Sequence, residues 1–277
     1  MERRRSGSLT DTDVRSYLLA ALRPTGSDTD LGAIRAKTTT ALTVVLPCFN
    51  EAERLPATLT AFLAALSPTL GEVEVLVVDD GSSDETFAVA SAVAATDARV
   101  RVIGSRPNRG KGFAVRTGVL AAQGEVIVFT DADGSYGPDD LERVVAALAD
   151  APVAIGSRAA IAATGPLVRR LASRLFNRTI QALLRLPFHD TQCGLKGFRR
   201  KAAMQLFGLA RLDGFAFDAE LLLLARQLGL SVAEVPVQAE DRDGSKVQLA
   251  IDALRMLRDT LTIRRAASQK SYRRGPG

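Results

Sequence analysis

At 277 residues and 47% hydrophobic, the chain can bury one large core or two small ones; with 5% aromatics and no Trp, that core rests on Ala, Leu and Val. A single histidine, His189, excludes a multi-histidine metal site and argues against a Ser-His triad, while Cys48 and Cys193, far apart and without a CxxC partner, read as free thiols. The formal charge is +5, yet residues 264–277 alone hold five basic groups and no acid, so the remainder is near neutral, which argues against a broadly nucleic-acid-binding protein.

Residues 1–40, rich in Ser, Thr, Asp and Arg, read as a flexible extension with one short helix over 14–22. Their basic start is followed by no apolar stretch, so no secretion signal is expected. Nor does any apolar run approach the ~18 residues of a membrane span. From Leu42 the pattern changes to short apolar runs at 42–46, 73–78, 100–104, 125–130 and 152–156. Alanine-rich helical stretches lie between them, beginning "EAERLPATL", "DETFAVAS", "GKGFAVRTG" and "PDDLERVV". Strands apolar on both faces, separated by helices, predict an α/β fold with a mostly parallel sheet covered on both sides. "SSDE" (82–85) has the spacing of a capping box, and "GPDD" (137–140) offers Pro and two acids to a helix start.

Ligands of such sheets sit beyond the carboxyl ends of the strands. Here those ends read "PCFNE", "DDGSSD", "SRPNRGKG", "DADGS" and "SRAA", all polar. The first lacks the glycines of a dinucleotide fingerprint, and "GSRPNRGKG" has neither the spacing nor the Ser or Thr of a P-loop. Asp131 and Asp133 end the apolar fourth strand. Buried acid there needs a positive partner, whether lysine, arginine or metal. In an extended segment side chains two apart share a side, so both carboxylates are expected to face one spot. Turn formation and capping before Pro138 is the ordinary alternative.

Taken together, "VVLPCFNEAERL", "VLVVDDGSSDET", "NRGKGFAVRTG", "FTDADGS" and "DTQCGLKGFRR" resemble family 2 glycosyltransferases, from about Leu42 to Lys246. The nearest branch is the dolichyl- or polyprenyl-phosphate β-glucosyltransferases, with dolichyl-phosphate mannose synthases a step further away. The resemblance implies a GT-A fold, Rossmann-like, with a nucleotide-sugar-binding half (41–160), an acceptor-binding half (161–246), and an amphipathic helix with basic tail (247–277). It implies transfer of a hexose, glucose from UDP-glucose, with inversion. Asp133 then becomes the direct ligand of a divalent metal, Mg2+ or Mn2+, with Asp131 helping to hold metal or donor; such a cation takes oxygen ligands and bridges diphosphate oxygens. Asp80 is implied to read the uracil imide, and Pro47, Phe49, Asn50 and Glu51 to lie against base and ribose. Phe49 has core packing as its plain alternative. Lys111, between glycines, is placed to approach donor phosphate or ribose, or else simply faces solvent.

In the second half, residues 166–186 read as an amphipathic helix carrying arginines, suited to an anionic lipid surface or an acceptor phosphate. By resemblance, Arg158 and the cluster Arg169, Arg170 and Ser173 contact phosphates, while Arg242, Ser245 and Lys246 close over the diphosphate. Asp218 and Glu220 open an apolar helix, and Asp218 is the candidate catalytic base, with helix capping as its alternative. A phosphate acceptor, mostly dianionic at neutral pH, needs no base; a sugar hydroxyl does. His189 and Asp190 are expected to shape the acceptor entrance, and Cys193 to be structural. The helix over 247–263 is expected to pack on the domain, near an anionic membrane surface.

The expected partners are therefore a nucleotide-diphosphate sugar and a lipid-phosphate or saccharide acceptor, with no nucleic acid. The expected location is cytoplasmic, peripheral at the inner membrane face. Two rivals remain: a soluble metal-dependent glycosyltransferase acting on a hydroxyl, and a non-catalytic nucleotide-sugar-binding protein on the same fold. Sugar, base, lipid and oligomeric state are not legible in the sequence.

Overall fold

The computed structural model describes residues 41–65, 72–158, 177–238 and 258–265. Strands β1 (Leu42–Cys48), β2 (Val73–Asp80), β3 (Val100–Ser105) and β4 (Val126–Phe129) alternate with helices α1 (Leu55–Ala65), α2 (Thr86–Thr96) and α3 (Lys111–Ala121). Helix α4 (Pro138–Ala147) leads to β5 (Val153–Ser157). The later chain adds β6 (Lys196–Arg199), α5 (Arg200–Leu209), α6 (Phe217–Gln227) and β7 (Val232–Pro236). All seven strands join one sheet in the order β3-β2-β1-β4-β6-β5-β7. Only β6 runs against its neighbours β4 and β5; every other pairing is parallel.

Alternation along the strands divides the core between the two faces. Val45, Leu76 and Phe129 enter one cluster with α3, α5 and α6, while Val44, Leu46, Val75 and Val77 enter another with α1 and α4. In the first, Phe129 meets the rings of Phe198, Phe207 and Phe217 with centroids 5.7–6.4 Å apart. The strands are buried on both faces, as in β2, where all eight residues are buried. This is the covered, mostly parallel sheet that the apolar runs predicted.

Three local expectations are corrected. Strands β6 and β7 were not foreseen; "KGFR" has four residues and no β-branched side chain, and β7 is short and half-buried. The capping box does not form: the residue before α2 is Glu85, with no side-chain cap, and the Ser82 hydroxyl instead accepts from the Asn50 amide at 2.8 Å. The segment after β4 is a turn rather than extended chain. Ala132 is buried inside it, and Gly134 takes a φ of +74° that favours glycine. Pro138 does open α4, but its acid Asp140 pairs with Arg143 and accepts from the Gln238 amide at 2.9 Å, joining α4 to the end of β7.

Among the described residues no helix is long and apolar enough to cross a membrane. Both cysteines are free and buried. The helical stretch 258–265, the part of the expected 247–263 helix within the described residues, buries Thr260 and Ile263 while Leu261 is exposed.

Candidate active site

Parallel register brings the strand ends together: Cys48 lies opposite Asp79, and Asp80 opposite Ser105. The first loop is tied to the second. Asn50 Oδ1 accepts from the amides of Ser83 at 2.8 Å and Asp84 at 3.3 Å, and the Glu51 amide donates to Thr86 Oγ1 at 2.7 Å. The Glu51 carboxylate pairs with Arg54 at 2.7 Å. Asn50 and Glu51 thus build the loop, and Phe49, 41% exposed, is presented to solvent rather than packed in the core. Pro47 is half-buried at the end of β1, opposite Val78.

Asp80 is buried and turned toward the loop after β3. Its carboxylate accepts from the amides of Gly110 at 2.6 Å and Arg109 at 3.1 Å and from the Ser105 hydroxyl at 3.1 Å. Burial raises its proton affinity, and those donors work in the opposite direction. Asp80 therefore shapes the entry to α3. Asp79 accepts from the Ser82 amide at 3.3 Å, which caps the turn after β2.

Lys111, the first residue of α3, lies at the centre. Its Nζ is 2.5 Å from Asp131 Oδ1, so the solvent-facing alternative fails. Burial disfavours its charge, but Asp131, Asp218 and Asp133 together outweigh burial and raise its pKa. The turn has not separated the two acids of "DAD": both still act on this ammonium. Asp133 Oδ1 also accepts from the Ser135 amide at 2.9 Å, which closes the turn. Opposite Asp131 stands Gly194, where a Cβ would collide with Asp131 Oδ2. The Gly194 amide donates to the Tyr136 hydroxyl at 3.2 Å, holding the glycine in place.

From the other side comes Asp218, in the first turn of α6. It makes no capping bond; its Oδ1 instead accepts from Lys196 Nζ at 2.6 Å. Lys196, on β6, is fully buried, donates to the Cys193 carbonyl at 2.5 Å, and lies 5.6 Å from the Phe129 ring. Burial raises the Asp218 pKa against the opposing pull of Lys196 and Lys111. Glu220 plays a different part. Fully buried, it accepts from the amides of Arg211 at 3.1 Å and Leu212 at 2.9 Å. This anchors the segment whose Asp213 pairs with Arg109 and Arg116.

Arg158 and Asp190 form a bidentate pair, with Nε 2.7 Å from Oδ2 and Nη2 3.1 Å from Oδ1. Burial works against charge on Asp190, yet the guanidinium holds it below the usual carboxylate range. His189 is exposed and meets Glu234 at 3.2 Å. Cys193 is fully buried beside Tyr136, as a structural residue should be. The expected phosphate contacts Arg169, Arg170, Ser173, Arg242, Ser245 and Lys246 lie outside the described residues.

The structure thus gathers Lys111, Asp131, Asp133 and Asp218, and keeps the first loop and the Arg158 pair as separate groups. Reading the sequence missed Lys196 and Gly194. Both sit in the quoted "CGLKG", but the short strand that aims them was not recognised.

Residues 43–207 match the profile of the family described as Glycosyl transferase family 2. The chain belongs to that family. Among curated relatives, the dolichyl-phosphate beta-glucosyltransferase of Saccharomyces cerevisiae is 34% identical over 257 residues, covering 84% of this chain and 76% of the relative. That of Drosophila melanogaster is 38% identical, covering 80% and 74%, and the human one is 35% identical, covering 88% and 81%. The glycosyltransferase also shares its fold with glucosyl-3-phosphoglycerate synthase of Mycobacterium tuberculosis, at a TM-score of 0.62 and 23% identity over 87% of this chain and 86% of the other. That enzyme has also been solved with Mn2+ and UDP-glucose, at a TM-score of 0.61 and 23% identity, covering 87% and 84%. The GT-A expectation is borne out, and the family 2 glycosyltransferase is an enzyme rather than a passive binder of nucleotide sugars.

Proposed function

We propose that this glycosyltransferase moves glucose from UDP-glucose to a polyprenyl or dolichyl phosphate, with inversion at the anomeric carbon. The observation that carries the reading is the set of dolichyl-phosphate beta-glucosyltransferases that align with most of the chain at 34–38% identity. The site supports it. Asp218 already spends one oxygen on Lys196, which suits a stationary charge better than an obligatory base. A phosphate monoester, mostly dianionic near neutral pH, brings its own nucleophilic oxygen and needs no proton removed.

In this reading Asp133 and Asp131 hold a divalent cation, Mg2+ or Mn2+. Their oxygens are the hard donors such an ion takes, and the lack of a side chain at Gly194 lets the Asp131 carboxylate occupy its place there. Among the described residues no cluster of three acid, histidine or cysteine ligands occurs, so diphosphate and water would complete the shell. When bound, the cation supplies neutralisation of charge on the departing UDP. Lys111 adds a second positive charge at the same place and holds Asp131 in its orientation. Phe49 offers an exposed ring to the base and ribose, on a loop latched by Asn50 and Glu51. Asp80 sets the floor of the base site through the Arg109 and Gly110 amides. Arg158, oriented by Asp190, faces an acceptor or donor phosphate. Arg169, Arg170, Ser173, Arg242, Ser245 and Lys246 complete the phosphate contacts. The protein works peripherally at the cytoplasmic face of a membrane, helped by its basic C-terminal residues, among them the exposed Arg264 and Arg265.

The deciding experiment supplies radiolabelled UDP-glucose with polyprenyl phosphate in detergent, and in parallel with free saccharides. Label is expected in an acid-labile lipid product that requires the lipid's phosphate. Transfer to saccharide hydroxyls alone would establish the other acceptor class.

A further inference from the structure

Four charges of alternating sign run from the interior to the cleft: Lys196, Asp218, Lys111 and Asp131. Lys196 Nζ is 2.6 Å from Asp218 Oδ1, and Lys111 Nζ is 2.5 Å from Asp131 Oδ1. Asp218 and Lys111 act on each other between these pairs. Within this string the charges cancel, leaving Asp133 as the further acid beside Lys111.

Lys196 stands out because nothing about its position is cheap. It sits in the middle of the sheet, opposite Phe129 on β4 and Ile155 on β5, with no exposed surface. A lysine there costs desolvation and contributes no apolar packing at its tip. Its ammonium is held by the Cys193 carbonyl, the Asp218 carboxylate and the face of the Phe129 ring. Among the described residues Asp218 Oδ2 makes no hydrogen bond, so Lys196 grips one oxygen of the carboxylate and leaves the other uncommitted.

We propose that Lys196 is a positioning residue whose buried charge offsets Asp218, so that an acidic side chain can stand beside Lys111 without repelling the anionic substrates. Both substrates carry phosphate charge in the proposed reaction, on which this inference rests. Without Lys196 the cleft would turn a second uncompensated negative charge, added to that of Asp133, against the diphosphate.

The test is a charge-balance cycle read on UDP affinity by calorimetry in the presence of Mn2+, with turnover measured alongside. Lys196→Met is expected to weaken UDP binding about tenfold, the scale of one unit charge at moderate dielectric. Adding Asp218→Asn in the same chain restores balance, and the double variant should recover UDP affinity to within about threefold of wild type. Lys196→Arg keeps the charge and should bind UDP like wild type if it folds. Should Lys196→Met fail to fold, Asp218→Asn alone still decides, because with Lys196 retained it must bind UDP at least as tightly as wild type.

Losses that multiply in the double variant would overturn the proposal, as would UDP binding unchanged in a folded Lys196→Met or weaker than wild type in Asp218→Asn. The acceptor reading fails separately, through wild-type protein that gives no lipid product.

Discussion

Gly194 and Asp131 face each other across the site so closely that a methyl group on the glycine would collide with the carboxylate Oδ2. The glycine belongs to the segment before β6, and the acid follows β4, the strand beside β6 in the sheet. Their contact therefore fixes where the Asp131 carboxylate can point, and Lys111 takes its other oxygen at 2.5 Å.

Gly194→Ala should consequently hurt turnover more than folding. The added methyl displaces Asp131 from Lys111, and misplacement of a reacting group by about 1 Å costs on the order of 100-fold. Overpacking of this kind costs ~1–3 kcal/mol of stability. Steady-state kinetics beside thermal unfolding will separate the two. A folded variant with wild-type turnover would remove Asp131 from the reaction.

Asp133 invites a cleaner substitution. Asn at this position keeps the oxygen that accepts from the Ser135 amide, so the turn survives while the charge is lost. Transfer by the wild type should stop with a chelator and return with Mn2+ or Mg2+. Asp133→Asn should fall by several kcal/mol of transition-state stabilisation, on the order of 100-fold or more. Titrating metal against both proteins checks this; a variant that needs no more metal than wild type contradicts the assignment of Asp133 as ligand.

How far the sequence reached follows from range. Strands β1 to β5 and their helices were legible because each apolar run reports its own burial, and the row of polar strand ends pointed to the edge where the candidate site lies. The pairing of Lys111 with Asp131 was not, since residues 20 apart meet only after α3 and β4 fold onto the same edge. Lys196 was harder still: a lysine in a four-residue strand carries no local mark of full burial, and its partner Asp218 comes 22 residues later. Ser82 shows the reverse error, where correct capping spacing was overruled by a hydrogen bond to the Asn50 amide from another loop.

Asn50 carries its own prediction. It holds a φ of +57° and accepts from two amides of the second loop. Asn50→Ala loses these bonds and keeps a Cβ in a left-handed backbone region that Asn tolerates better than Ala, together ~1–3 kcal/mol. Asn50→Gly relieves the backbone but not the lost bonds, so it should fall between wild type and Ala in urea denaturation. Both should weaken UDP binding if the latch supports the base site. Equal stability of all three would leave the latch without energetic weight.

The Arg158–Asp190 pair predicts a pH signature. Asp190 is held below its unfolded value of about 3.9, so the pair contributes stability above that pH, and the contribution disappears as pH falls through the depressed folded value. Arg158 keeps 44% of its side chain exposed, so solvent screening limits the effect to about 1 kcal/mol at neutral pH. Arg158→Met should therefore melt below wild type at pH 7, and the gap should close as the pH is lowered past 4. Thermal unfolding of both proteins from pH 7 to pH 3 measures it directly. A gap that stays constant over that range would assign the loss to packing of the arginine stem instead of its charge.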